Sequence, residues 1–128
     1  MAKTLLLVDD SATHRSLIRV FLTGHDLRFL EADGGAEALR ILDRKHVDLL
    51  IVDVKMPGMD GLELVRRIRK QPETRDIPIV LLTASVADEI EGEGKRAGAN
   101  ALLHKPISSA GILEIVQRLL SLAPSPEA

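Results

Sequence analysis

A chain of 128 residues with 45% hydrophobic and 28% charged residues has the size and apolar share of one compact domain, with no room for a second of ordinary size. A formal net charge of −2 excludes bulk electrostatic attraction to nucleic acid or an anionic membrane, and the absence of cysteine excludes disulfides and thiolate metal sites. Phe21 and Phe29 are too few for the aromatic platforms that stack single-stranded nucleic acid. Met1-Ala2-Lys3-Thr4-Leu5 lacks the apolar run of a secretory leader, and no apolar stretch approaches the roughly 20 residues of a membrane helix. The expected location is cytoplasmic.

Thr4 to Val8 is an unbroken apolar run ending in Asp9-Asp10-Ser11, which suits a strand buried on both faces, as in parallel sheets. Ser11 is placed to cap a helix carrying Leu17, Ile18, Phe21 and Leu22 on one stripe, and Gly24 can end it. Leu27 to Ala32 alternates with Arg28 and Glu31 and predicts a strand nearer a sheet edge. After the turn residues Asp33-Gly34-Gly35, a helix is expected from about Ala36 to Lys45. Leu49 to Val52, the most apolar run, predicts the central strand, and it too ends in a carboxylate, Asp53. Lys55 to Gly61 is a loop, broken by Pro57, Gly58 and Gly61, before a helix marked by Leu62, Val65 and Ile68. Ile77 to Leu82 predicts another buried strand, ending at Thr83-Ala84-Ser85. Val86 to Ala97 is a poor helix, anchored by Val86, Ile90 and Ala97, because Gly92 and Gly94 each cost about 1 kcal/mol relative to alanine. Ala101 to Leu103 is a last strand, running into His104-Lys105-Pro106, and Ser108 to Leu120 is a strongly amphipathic helix. Residues 1–121 are expected to form the domain, and 122–128 a disordered tail or the start of a linker.

Five alternations of strand and helix make the fold class α/β, a doubly wound parallel sheet with helices on both faces. Ligands of such sheets bind beyond the carboxyl ends of the strands. There the sequence delivers Asp9, Asp10, Asp53, Thr83 and Lys105 from four strands: three carboxylates, a hydroxyl and an ammonium on one rim. Clustered carboxylates raise one another's pKa unless a cation sits among them, and Mg²⁺, hard and oxygen-seeking, is the candidate. A carboxylate beside a metal, an ammonium and a hydroxyl suits phosphoryl transfer, where the protein mainly positions groups and neutralises charge. Asp53, ending the central strand, is the expected nucleophile.

Val8-Asp9-Asp10-Ser11, Asp53 to Gly61, Thr83-Ala84, Gly98-Ala99 and Lys105-Pro106 stand in an order and at spacings that are together highly specific. Through them Lys3 to Leu120 resembles the receiver domain of bacterial two-component response regulators, and in particular the single-domain chemotaxis-type regulators. The resemblance implies a flavodoxin-like, five-stranded sheet of order 2-1-3-4-5. It implies a signalling phosphoacceptor and not an enzyme with a separate turnover substrate. Asp53 would take a phosphoryl group from a sensor histidine kinase or phosphotransfer protein and so switch binding to a downstream protein target. Asp10, Asp53 and the backbone carbonyl of Lys55 would hold Mg²⁺, with Asp9 acting through metal-bound water. Lys105 would pair with the phosphoryl group, Thr83 would turn toward it, and a cis Lys105-Pro106 bond would aim the lysine. Thr83, Ala84, Ser85, Leu102, Lys55 and Pro106 would be the switching and modulating positions.

Two residues depart from the family pattern. Leu102 stands where an aromatic usually swings with the threonine, and it is expected to be the outward-facing member of Ala101-Leu102-Leu103. Lys55, two residues after the phosphoacceptor, puts a cation beside the reacting group. A receiver fold that binds partners without phosphorylation is the alternative, supported by Leu102 and opposed by the intact Asp10, Asp53, Thr83 and Lys105. A phosphohydrolase on a similar sheet would need an acid–base carboxylate where Lys55 stands. His14, His25, His46 and His104 are scattered without ligand spacing and read as surface or internally satisfied residues.

Overall fold

A computed structural model describes residues 2–120, and the tail expected at 122–128 lies outside them. The elements are β1 (Lys3–Val8), α1 (Ala12–Phe21), β2 (Leu27–Ala32), α2 (Gly35–Arg44), β3 (Leu49–Asp53), α3 (Gly61–Lys70), β4 (Ile79–Thr83), α4 (Asp88–Ala97), β5 (Ala101–His104) and α5 (Ser109–Leu120). The strands pair in parallel in the order β2-β1-β3-β4-β5.

The two-residue period of a strand explains why the central runs are apolar throughout. Leu6, Val8, Leu50, Val52, Ile79 and Leu81 face one side and pack with α2, α3 and α4. Their neighbours Leu5, Leu7, Leu49, Ile51, Val80 and Leu82 face the other and pack with α1 and α5. Every residue of β3 and β4 is buried. β2 lies at an edge and leaves Arg28 exposed, as its alternation predicts.

Several boundaries differ from the sequence reading. β4 begins at Ile79, because Pro78 has no N–H for the ladder and the Ile77 N–H closes a turn onto the Thr74 carbonyl. α4 begins at Asp88, and Val86, expected to anchor it, is 86% exposed. The Ala87 N–H is taken by Ser85 Oγ at 3.2 Å, so this stretch is a turn. Leu17 is not part of the buried stripe of α1; it is 43% exposed, while Ile18 and Leu22 are covered. Ser11 caps α1 as expected, its hydroxyl accepting from the His14 N–H at 3.2 Å. Asp60 caps α3 in the same way, accepting from the Glu63 N–H at 2.9 Å.

Candidate functional site

Parallel register brings the strand ends level: Val8 pairs with Val52, Asp53 with Leu82, and Thr83 with His104. Asp9 follows β1 directly, its N–H bonded to the Ala32 carbonyl at 3.1 Å. The Lys105 N–H donates to the Thr83 carbonyl at 2.7 Å, which carries the pairing one residue past β5. The five residues expected at this rim are therefore brought together. One carboxylate oxygen from each of Asp9, Asp10 and Asp53 lies within 4.8 Å of the others. Asp9 and Asp53 are only 2% and 5% exposed, while Asp10 is open to solvent. Lys105 Nζ lies 3.1 Å from Asp53 Oδ1, and the Lys105-Pro106 bond is cis.

The rim gathers more negative than positive charge. Burial, the largest influence, pushes the Asp53 carboxyl above its usual range; Lys105 pulls it down, and the Asp9 charge raises it further. One ammonium does not balance three carboxylates. An all-oxygen donor set of this kind fits a hard divalent cation such as Mg²⁺, and among the described residues it is the one cluster of three or more such side chains. Asp9 Oδ1 accepts from the Ser11 N–H at 2.9 Å, and its Oδ2 lies 3.1 Å from His14 Nδ1. Thr83 is buried, its Oγ1 accepting from the Ser85 N–H at 3.0 Å. Lys55, Ala84 and Ser85 are exposed and line the same cleft as Asp53, Thr83 and Lys105.

Residues 5–117 match the model of the response regulator receiver domain. The chain belongs to that family. It is 34% identical to chemotaxis protein CheY-3 of Vibrio cholerae over 90% of this chain and 89% of that one. It is 36% identical to the phosphate regulon transcriptional regulatory protein PhoB of Pseudomonas aeruginosa, over 93% of this chain but 51% of the relative. The solved chemotaxis protein CheY4 of Vibrio cholerae superposes with a TM-score of 0.87 at 34% identity, covering 93% of this chain and 99% of that one. Receiver domains act in two-component signalling, where they bind Mg²⁺ through acidic residues and interact with histidine kinases and downstream targets. No helix among the described residues is long and apolar enough to cross a membrane.

One expectation needs correction, and two residues at the site were not singled out from the sequence. Leu102 does not face outward. It is half-buried, away from the acidic rim, and packs beneath α4 on the side of Leu81, while Leu103 packs on the opposite face. Both faces of β5 are covered, so alternation chooses between two cores and not between core and solvent. His14, expected to be a surface or internally satisfied histidine, is satisfied, and at the site itself. Its Nδ1 lies 3.2 Å from Lys105 Nζ as well as 3.1 Å from Asp9. The signal was its place three residues after the Ser11 cap, since side chains in a first helical turn lean back toward the N-terminus and here toward the strand ends. Arg15, one residue on, was also missed: its guanidinium donates to the Asp9 carbonyl and pairs with Glu31 at 2.8 Å.

Proposed function

We propose that Asp53 is the phosphoacceptor of this receiver domain, taking a phosphoryl group from a histidine kinase or phosphotransfer protein and thereby switching affinity for a downstream protein. The observation that carries this reading is the setting of Asp53. It ends the central strand, buried, beside the carboxylates of Asp9 and Asp10 and with Lys105 Nζ 3.1 Å from its Oδ1. In the transfer an Asp53 oxygen attacks phosphorus while the bond from phosphorus to the donor breaks, and the donor leaves with the electron pair. Lys105 then pairs with the phosphoryl oxygens. The Thr83 hydroxyl accepts from Ser85, so its own proton is free to be donated to one of them. Mg²⁺, held by Asp10, Asp53 and the Lys55 carbonyl with Asp9 acting through water, would supply the charge neutralisation an anionic donor requires. Residues 1–121 are the working unit of this reading, in a cytoplasmic setting.

The test is intact mass after incubation with acetyl phosphate. One phosphoryl group should appear on the wild type with Mg²⁺ and none on Asp53→Asn. Incorporation that persists in the variant, or that is equal in a chelator, would remove Asp53 or the metal from the reading.

A further inference from the structure

One imidazole nitrogen stands between two groups of the site. His14 Nδ1 lies 3.2 Å from Lys105 Nζ and 3.1 Å from Asp9 Oδ2, and Lys105 Nζ in turn lies 3.1 Å from Asp53 Oδ1. An ammonium can only donate and a carboxylate can only accept. A neutral Nδ1 therefore serves one neighbour at a time: its lone pair takes Lys105, or its N–H goes to Asp9. We propose that His14 is a positioning residue for phosphoryl transfer, its Nδ1 lone pair holding the Lys105 ammonium over Asp53 until the phosphoryl group draws the lysine away. The inference rests on Asp53 being the phosphoacceptor.

Lys105 needs such a hold. Its four-carbon stem is flexible, and a single contact to Asp53 leaves the ammonium free to swing. A second contact from α1 fixes it from the far side of the rim. His14 is itself well placed to give that contact, because its N–H is bonded to Ser11 Oγ at 3.2 Å, which sets where the first turn of α1 begins. The ring and the lysine stem also border one small apolar cleft with Leu17, Phe21 and Ile107.

The test compares the full chain carrying His14→Ala, His14→Asn or His14→Gln with the wild type. Asparagine places a polar atom where Nδ1 stands, and glutamine only where Nε2 stands. With acetyl phosphate and Mg²⁺, His14→Ala and His14→Gln should be phosphorylated about threefold to tenfold more slowly, the worth of one ordinary hydrogen bond, and His14→Asn within about twofold of wild type. A His14→Asn variant as slow as His14→Ala overturns the proposal, because rescue requires only a polar atom at the Nδ1 position. Phosphorylation of Asp53 at equal rates in wild type and His14→Ala also overturns it and leaves the phosphoacceptor reading standing. A wild type that takes no phosphoryl group, or an Asp53→Asn variant that takes as much, overturns both.

Discussion

Alanine at position 61 probes the close backbone approach behind Asp53. A Cβ on Gly61 would lie against the Asp53 carbonyl oxygen and 2.9 Å from Val54 Cα, both main-chain atoms with no rotamer to retreat into. The Gly61 N–H is bonded to the Val54 carbonyl at 2.8 Å, which holds the start of α3 onto the strand end. Adding a methyl must therefore slide α3 outward or tilt the Asp53-Val54 peptide. Overpacking of this kind costs about 1–3 kcal/mol, and alanine's better helix preference returns at most about 1 kcal/mol. A net loss of about 1–2 kcal/mol lowers the melting temperature of a domain this size by about 3–10 °C. Calorimetry of Gly61→Ala should show that drop. Gly34→Ser, whose added side chain meets open space at an extended φ of −177°, should not. Tilting the peptide also displaces Asp53 from Lys105, so phosphorylation should slow in Gly61→Ala alone. A Gly61→Ala protein that melts within about 1 °C of wild type and is phosphorylated normally would refute the close-approach account.

The two glycines of α4 should behave differently. A Cβ at Gly92 meets only the flexible end of Arg96 at 3.1 Å, whereas one at Gly94 meets the buried Leu81 Cδ1 at 3.2 Å. Gly92→Ala should gain about 1 kcal/mol in urea unfolding and Gly94→Ala should gain less or lose, so equal gains would contradict the packing role of Gly94. The side-chain hydrogen bond from Arg15, together with Arg19, holds the Glu31 carboxyl below its ordinary 4.5 against the opposing effect of burial. A depressed carboxyl contributes stability above its unfolded pKa and loses it as pH falls through the folded value. Glu31→Gln should therefore be about 0.5–1 kcal/mol less stable than wild type at pH 7, with the gap closing below about pH 4, and a gap unchanged down to pH 3 would exclude the pairing as its source. Lys55 and Ser85 line the same cleft as Asp53, and Lys55 would pair with the oxygens of a phosphoryl group carried there. Lys55→Asn should shorten the phosphorylated lifetime by up to about tenfold; an equal or longer lifetime, followed by mass, would dismiss that role.

What the sequence made legible is what a parallel sheet determines. Continuous apolar runs mark strands covered on both faces, and parallel pairing puts their carboxyl ends on one side, so Asp9, Asp53, Thr83 and Lys105 could be gathered before any side chain was placed. Groups that reach the site from a helix were harder to find. His14 depends on the rotation of α1 about its axis, which the Ser11 cap and the buried Ile18 and Leu22 set jointly, and a lone histidine in a polar stretch carries no periodic signal. Gly94 was read as a loss of helix preference, because its worth lies in Leu81 and Leu102 beneath it, which belong to other elements. Leu102 was assigned outward by the family resemblance, since strand alternation names two faces without saying what covers each.

Those same residues bear on how a change at Asp53 would travel. Thr83 Oγ1 holds the Ser85 N–H, Ser85 Oγ holds the Ala87 N–H, and Ala87 begins α4 with no side-chain cap of its own. Two hydrogen bonds of the loop thus join the threonine at the rim to the start of the helix. A Thr83 hydroxyl drawn toward a phosphoryl group would lengthen the first of these bonds and release the second. α4 has little else to resist the change at that end: Val86 is exposed, and firm apolar contact begins only at Ile90 and continues at Ala97. Its far end is pinned, with Gly98 in a left-handed turn whose N–H caps the Gly94 and Lys95 carbonyls. A helix loose at the end nearest the reacting group and fixed at the other pivots more readily than it unfolds. With Leu102 under α4 beside Gly94, such a pivot would change the packing of that leucine.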